Sequence, residues 1–311
     1  MTNRTMPLYC FYGPHPLPSR DYTILGMTAI RTGRKKMSLF TIDEKLCARD
    51  GICVAECPAF IIEMKTKESF PTVTDGGETR CINCGHCVAV CPHRAISLSR
   101  MNVDRCPPIN DTLILGEDQM KQFLRSRRSI RTYKAQDVDT KTLTRLIDIA
   151  RYAPTGSNSQ QVQWLVVPTR DKVVQLTDLA VDWMRNAVKG KDPIAEAYQM
   201  AGIVRAWDNG IDVISRGAPA LIIAHGPETY PVMTIDSAIA LSYLDLAAPT
   251  LGLGCCWAGF FMAAADYWPP LAEALSLPEG HKSFGAMMLG YPKFRYQRLP
   301  ARNEAKVAML K

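Results

Sequence analysis

Seven of the eleven cysteines in this chain fall between positions 47 and 91, at metal-ligand spacings. The run Cys81-x2-Cys84-x2-Cys87-x3-Cys91-Pro92 puts three thiols within seven residues. That spacing wraps the backbone around one corner of an iron–sulfur cubane, with Gly85 relieving the curl, and turns the fourth thiol toward a neighbouring cluster. Zinc sites follow another plan, two Cys-x2-Cys knuckles separated by a longer loop. A second stretch has the same layout with one change: Cys47-x2-Asp50-x2-Cys53-x3-Cys57-Pro58. Three outcomes are open for the iron that Asp50 would face. Asp50 binds it through a carboxylate oxygen, water or hydroxide completes it, or the iron is lost and a three-iron cluster remains. Carboxylate is a harder and weaker donor here than thiolate, so this first site should be labile. The competing reading of Asp50 is a turn residue in the common Asp-Gly pair.

The tandem resembles the bacterial two-cluster ferredoxin over roughly residues 40 to 98. The resemblance implies crossed ligation, with Cys47, Cys53 and Cys91 on one cluster and Cys57, Cys81, Cys84 and Cys87 on the other. Between the loops, residues 61 to 80 alternate and then break at Asp-Gly-Gly, which predicts a small hairpin. Thiolates held for metal imply a reducing compartment, so a cytoplasmic location is expected.

The 311 residues allow one large domain or two of ordinary size, and 47% hydrophobic with 22% charged residues is enough to bury a core. The formal charge is +7, but the basic runs 31–36 and 125–131 lie far apart, with no stripe for nucleic acid. No apolar run approaches the roughly 18 residues of a membrane helix. Residues 1–36 are Pro-rich, aromatic and basic, and read as an extension that is disordered or precedes the natural start at Met37. The remainder divides into an iron–sulfur domain (37–100), a Pro-rich linker (101–116) and a large domain (117–311).

The large domain mixes helix and strand signals, an α+β pattern. Residues 139–153 place Leu143, Leu146, Ile147 and Ala150 on one helical face behind an Asp139 cap. Strands are predicted at 162–168, 218–225 and 283–292, a long amphipathic helix at 171–189, and an almost wholly apolar helix at 236–254. No dinucleotide fingerprint or P-loop is present. Three stretches carry chemistry. Arg125, Arg127, Arg128, Ser129 and Arg131 crowd into seven residues, a density of guanidiniums that suits a phosphate monoester. The polar turn 153–164 offers the amides of Asn158 and Gln160 to a planar heterocycle. In 252–261, glycines and small residues let the backbone approach a flat ligand.

In this order and spacing the three stretches resemble the FMN-dependent nitroreductase family, over nearly all of 117–300. The resemblance implies an α+β sandwich that forms an intertwined homodimer with FMN at the interface. It implies a phosphate site from Arg127, Arg128, Ser129 and Arg131, with Arg298 as a second contact. It implies that Ser157, Asn158 and Gln160 hold the isoalloxazine and ribityl groups, and that the backbone N–H groups of Ala258 and Gly259 lie near flavin N5. One departure is the Gln161-Val162 pair, where many relatives carry Pro-Trp.

A ferredoxin-like module ahead of a flavin domain suggests an electron path. Clusters move one electron at a time, and a flavin takes one or two. The first functional reading is an FMN- and iron–sulfur-dependent oxidoreductase that reduces a nitroaromatic, quinone or similar planar acceptor, fed by reduced ferredoxin or NAD(P)H. No side-chain nucleophile is required. Two alternatives keep the cofactors: reductive dehalogenation or double-bond saturation, and a non-enzymatic electron carrier or redox sensor built on the Asp50 cluster.

Overall fold

A computed structural model describes residues 39–310, and the expectation for residues 1–36 lies outside them. The cysteine-rich module contains β1 (Phe40–Ile42), α1 (Ile52–Ala55), β2 (Ile62–Glu63), β3 (Thr72–Val73), α2 (Gly77–Arg80), α3 (His86–Val90) and β4 (Ile96–Leu98). β1 pairs antiparallel with β4, with Phe40 opposite Leu98 and Ile42 opposite Ile96. β2 pairs with β3, so the hairpin predicted at 61–80 is present at its core. Its far end is helical instead: Gly76, at φ 67°, starts α2 in a conformation costly for other residues. Phe40, Ile61, Ile62, Val88, Ile96 and Leu98 are buried together in this module. Met101, Val103 and Cys106, from the start of the Pro-rich segment, pack against them.

The large domain opens with α4 (Glu117–Ser126), none of whose residues is buried. It continues through α5 (Thr140–Ala150), β5 (Gln163–Val167), α6 (Arg170–Lys189), α7 (Pro193–Ala197) and α8 (Met200–Asp208). There follow β6 (Ala220–Pro227), α9 (Met233–Ala247), β7 (Gly254–Trp257), α10 (Gly259–Tyr267), α11 (Pro269–Ala274) and β8 (His281–Gly290). α5 begins as its sequence predicts, with Asp139 Oδ1 accepting the Thr142 N–H at 2.9 Å.

Four antiparallel strands form one sheet in the order β5-β6-β8-β7. β6 lies in its middle and alternates strictly. Ala220, Ile222 and Ala224 join Leu143 and Leu146 of α5 and Leu241 and Leu244 of α9. Leu221 and Ile223 join Val173, Leu176 and Met184 of α6 and Phe261 of α10. Helices therefore cover both faces, and a central strand apolar on both sides is what such a three-layer sandwich requires. α9 stops at Ala247 rather than near 254, because Pro249 falls in the short 3₁₀ turn Ala248–Leu251 and Gly252, at φ 74°, redirects the chain into β7. Among the described residues no helix is long and apolar enough to cross a membrane.

Candidate functional site

The cysteines ring two cavities. One is lined by Cys57, Cys81, Cys84 and Cys87, under apolar cover that includes Phe40 and Ile62. The other is lined by Cys47, Cys53, Cys91 and Asp50. Cys57 joins the thiols of the other loop, and Cys91 joins Cys47 and Cys53. Among the described residues no three His, Cys, Asp or Glu side chains close around a single point as a lone metal ion would need. A backbone repeat builds the pair of cavities. Arg49 and Asn83, Gly51 and Gly85, and Phe60 and Arg94 occupy equivalent places in the two loops, and all six have positive φ, between 51° and 76°. A Cβ at Gly85 would also meet Met101 Sδ at 2.5 Å, so Met101 would have to shift.

Asp50 Oδ1 accepts the Ile52 N–H at 3.1 Å. The turn role is therefore real, and it uses one oxygen of a carboxyl group that also lines the cavity. Burial, then the Asp50 charge, pushes the Cys53 thiol up. Burial pushes Cys87 up to about 11, so a bound metal must displace protons at neutral pH. Four thiols around one cavity, and three thiols with a carboxylate around the other, fit the donor sets of iron–sulfur clusters. Of the two histidines expected near the clusters, His86 lines the four-thiol cavity and His93 the Asp50 cavity.

A larger cavity of about 570 Å³ lies in the large domain, within the range of small-molecule sites. Arg127, Arg128, Arg295, Asp245, Gly254 and Tyr296 are among its lining residues. Here the arginine run meets the glycine-rich stretch and the segment after β8. The Ile130 N–H donates to the Cys255 carbonyl at 2.8 Å. The Tyr133 hydroxyl donates to the Ile130 carbonyl at 2.6 Å, and Tyr133 bridges to Pro292. Gly254 permits this approach, because a Cβ there would meet Ile130 at 2.3 Å.

Three arginines and one carboxylate line this cavity. Arg127 Nη1 lies 3.3 Å from Asp245 Oδ2. Burial raises the Asp245 pKa, and Arg127 opposes the rise. Arg128 Nε is buried without a partner, and its guanidinium lies 5.7 Å from the Tyr296 ring centre. An orphaned charged donor in a net-positive cavity fits a phosphate group. Ser129 is half-buried, and its carbonyl accepts from Arg131 Nη1 at 3.4 Å. Arg131 and Arg298 are exposed and do not line the cavity; Arg295, which the sequence did not single out, does. The bridge at Pro292 directs the tail so that position 295, rather than 298, meets the arginines.

The polar turn is tightly held. The Gly156 N–H donates to both oxygens of the buried Asp236, at 3.0 and 3.2 Å, and the Tyr230 hydroxyl donates to the Gly156 carbonyl at 2.9 Å. Ser157, Asn158 and Gln160 all have positive φ, a cluster of strained backbone of the kind found at functional sites. The Ser157 and Gln160 side chains are exposed. Asn158 is engaged elsewhere: its Nδ2 donates to the carbonyls of Ile82 at 3.2 Å and Asn83 at 3.0 Å, in the loop of the four-thiol cavity. Ala258, expected beside the flavin, has its N–H engaged within the sheet. Its N–H already donates to the Ala286 carbonyl at 3.0 Å, because the β7–β8 ladder runs one residue beyond the strand. Gly259 opens α10 and has free space where a side chain would stand. Sequence spacing also missed His225 and His281, whose Nδ1 atoms lie 3.1 Å apart. Burial, then His281, holds His225 below its ordinary value.

Asp236 and Asp245 lie toward opposite ends of α9. At 1.5 Å per residue, positions 236 and 245 are ~13 Å apart along the helix, so the polar turn and the arginine cavity stand apart along α9.

The family model described as the nitroreductase family matches residues 124–291, and the one described as a 4Fe-4S dicluster domain matches residues 46–96. The chain is 26% identical to an FMN reductase [NAD(P)H] of Bacillus subtilis, over 59% of this chain and 70% of that protein. A solved nitroreductase with bound FMN from Bacteroides fragilis superposes with a TM-score of 0.52 at 21% identity, over 63% of this chain and all of that one. A nitroreductase with bound FMN from Desulfitobacterium hafniense gives 0.51 at 19% identity, over 64% and 100%. At these identities the structural likeness concerns the fold.

Proposed function

Because the chain belongs to the nitroreductase family and carries a 4Fe-4S dicluster domain ahead of it, we propose that it is an FMN- and iron–sulfur-dependent oxidoreductase acting on a small planar acceptor, a nitroaromatic, quinone or similar. The observation that carries this reading is the presence of two thiol-ringed cavities and an arginine-lined cavity in one polypeptide. Arg127, Arg128 and Arg295 hold the FMN phosphate, with Ser129, Arg131 and Arg298 at its margin. Ser157, Gln160 and the Gly259 N–H contact the ring system. When bound, the flavin supplies the step between single-electron carriers and a two-electron acceptor. The residues around it orient acceptor and flavin and keep water out.

Two cubane clusters are proposed, the first completed by Asp50 or solvent. A reduced ferredoxin is the donor, in a reducing compartment such as the cytoplasm. A homodimer is proposed as well. The separation of polar turn and arginine cavity along α9 supports it, because a second copy can bring its turn to the first copy's arginines. So do the exposed apolar side chains Leu113, Ile114, Leu115, Met120 and Leu124 on and before α4.

The test is an anaerobic assay of protein carrying iron and FMN, with nitro compounds and quinones as acceptors and with reduced ferredoxin, NADH and NADPH compared as donors. Multiple turnovers are expected, fastest with ferredoxin. Asp50 favours one second reading, a redox sensor, which predicts no turnover and a three-iron paramagnetic signal that grows on exposure to air.

A further inference from the structure

Among the described residues, the hydrogen bonds that cross from the cysteine module to the large domain are the two donated by Asn158. They end on the carbonyls of Ile82 and Asn83, which lie between the cavity-lining Cys81 and Cys84, and Ile82 itself lines that four-thiol cavity. Among the described residues the other loop makes no such connection. Arg49, which corresponds to Asn83 in the repeat, instead stacks its guanidinium 4.1 Å over the Phe70 ring within the module.

Both ends of the connection are stiff. Asn83 and Asn158 each have φ 52°, which Asn tolerates better than most residues. The Asn158 turn is further fixed by Asp236 and Tyr230 at Gly156. Such strain persists only where the surroundings over-determine it.

We propose that Asn158 is a positioning residue that ties the loop of the four-thiol cluster to the flavin-side turn, making that cluster the immediate electron source for the flavin and the Asp50 cluster the entry point. The inference rests on the flavin reading given above and adds an order to its electron path. Each ferredoxin-class donor molecule gives up one electron and is oxidised. The electron enters at the Asp50 cluster, passes to the four-thiol cluster and leaves for FMN. Two such passages would supply bound FMN with two electrons, one proton coming from solvent, and would return both clusters to their starting state. Electrons tunnel more readily through covalent and hydrogen-bonded contacts than across gaps, and the Asn158 amide is such a contact.

The experiment uses the anaerobic full-length holoprotein and two variants. Asn158→Asp keeps size and shape but removes both donors. Asn158→Gly removes the side chain and accommodates the positive φ, should the first variant fold poorly. Stopped-flow mixing with reduced ferredoxin resolves cluster bleaching from flavin bleaching, and iron and FMN content are measured alongside. The cluster phase is expected at wild-type rate and the flavin phase slowed at least about tenfold. Hydrogen exchange, read without any turnover, should be at least about tenfold faster over 82–85. A wild-type flavin phase in a fully loaded variant overturns the proposal. So does loss of FMN from the variants with unchanged exchange over 82–85, which would make Asn158 a flavin ligand. A wild-type protein with no flavin phase at all would sink the functional reading instead, and exchange would still decide the tie: unchanged protection in both variants refutes it.

Discussion

Arg128 concentrates the case for a phosphate site. Its Nε is buried with no partner, a state that costs free energy until an acceptor arrives. Charge-assisted hydrogen bonds contribute about 1.5–3 kcal/mol each, roughly 10- to 100-fold in affinity. Arg128→Ala should therefore weaken FMN binding by about that factor in a fluorescence titration of flavin-free protein. Arg131→Ala should do less, because Arg131 is exposed and outside the cavity lining. Equal losses would put both at the phosphate. At this scale the arginine run was legible as a dense local charge pattern, and the cysteines were legible because ligand spacing is itself local. The Arg295 and Asn158 contacts were not. One depends on a bridge across the sheet edge and the other on carbonyls 75 and 76 positions away.

Between α8 and β6 the chain turns on a single carboxylate. Asp212 Oδ1 accepts the N–H groups of Ile214 at 3.1 Å and Ser215 at 2.7 Å. Its Oδ2 accepts from the Gly217 N–H at 2.9 Å, Arg170 Nη2 at 2.8 Å and the Ser215 hydroxyl. This joins the start of the central strand to the start of α6. Burial alone would raise the Asp212 pKa, but Ser215, Gly217 and Arg170 together hold it below the ordinary 3.8. A depressed carboxyl pKa gives stability that is present above the unfolded value and lost as pH falls through the folded one. Asp212→Asn should thus cost about 1–3 kcal/mol at pH 7 and distinctly less at pH 3, read from urea unfolding at both. An equal cost at the two pH values would remove the charge from the account. Periodicity revealed α5 and β6 because their apolar spacing matches their burial. It did not reveal α2, which depends on one left-handed glycine, or the ladder contact of Ala258, which depends on a partner strand.

For the molecule as a whole, the proposed dimer, with a flavin bridging two copies, would link assembly to cofactor content. Leu124 is 47% exposed on a helix with no buried residue, and a charge there should be tolerated by the monomer fold but not by an interface. Leu124→Glu is expected to shift sedimentation from dimer toward monomer and to lower FMN occupancy in parallel. A dimer that persists with full flavin would place the interface elsewhere. The order of the modules was readable from composition and motif, whereas the hydrogen-bonded join between them was not, because it is made by one side chain and two carbonyls. The exchange of cysteines between loops has a further consequence. Cys57 sits beside the first loop and serves the second cavity, while Cys91 does the reverse. Neither half of the module can let go alone. If the α1 segment peeled away, Cys53 and Cys57 would leave the two cavities together, so heat that frees this segment should open both sites as a single event.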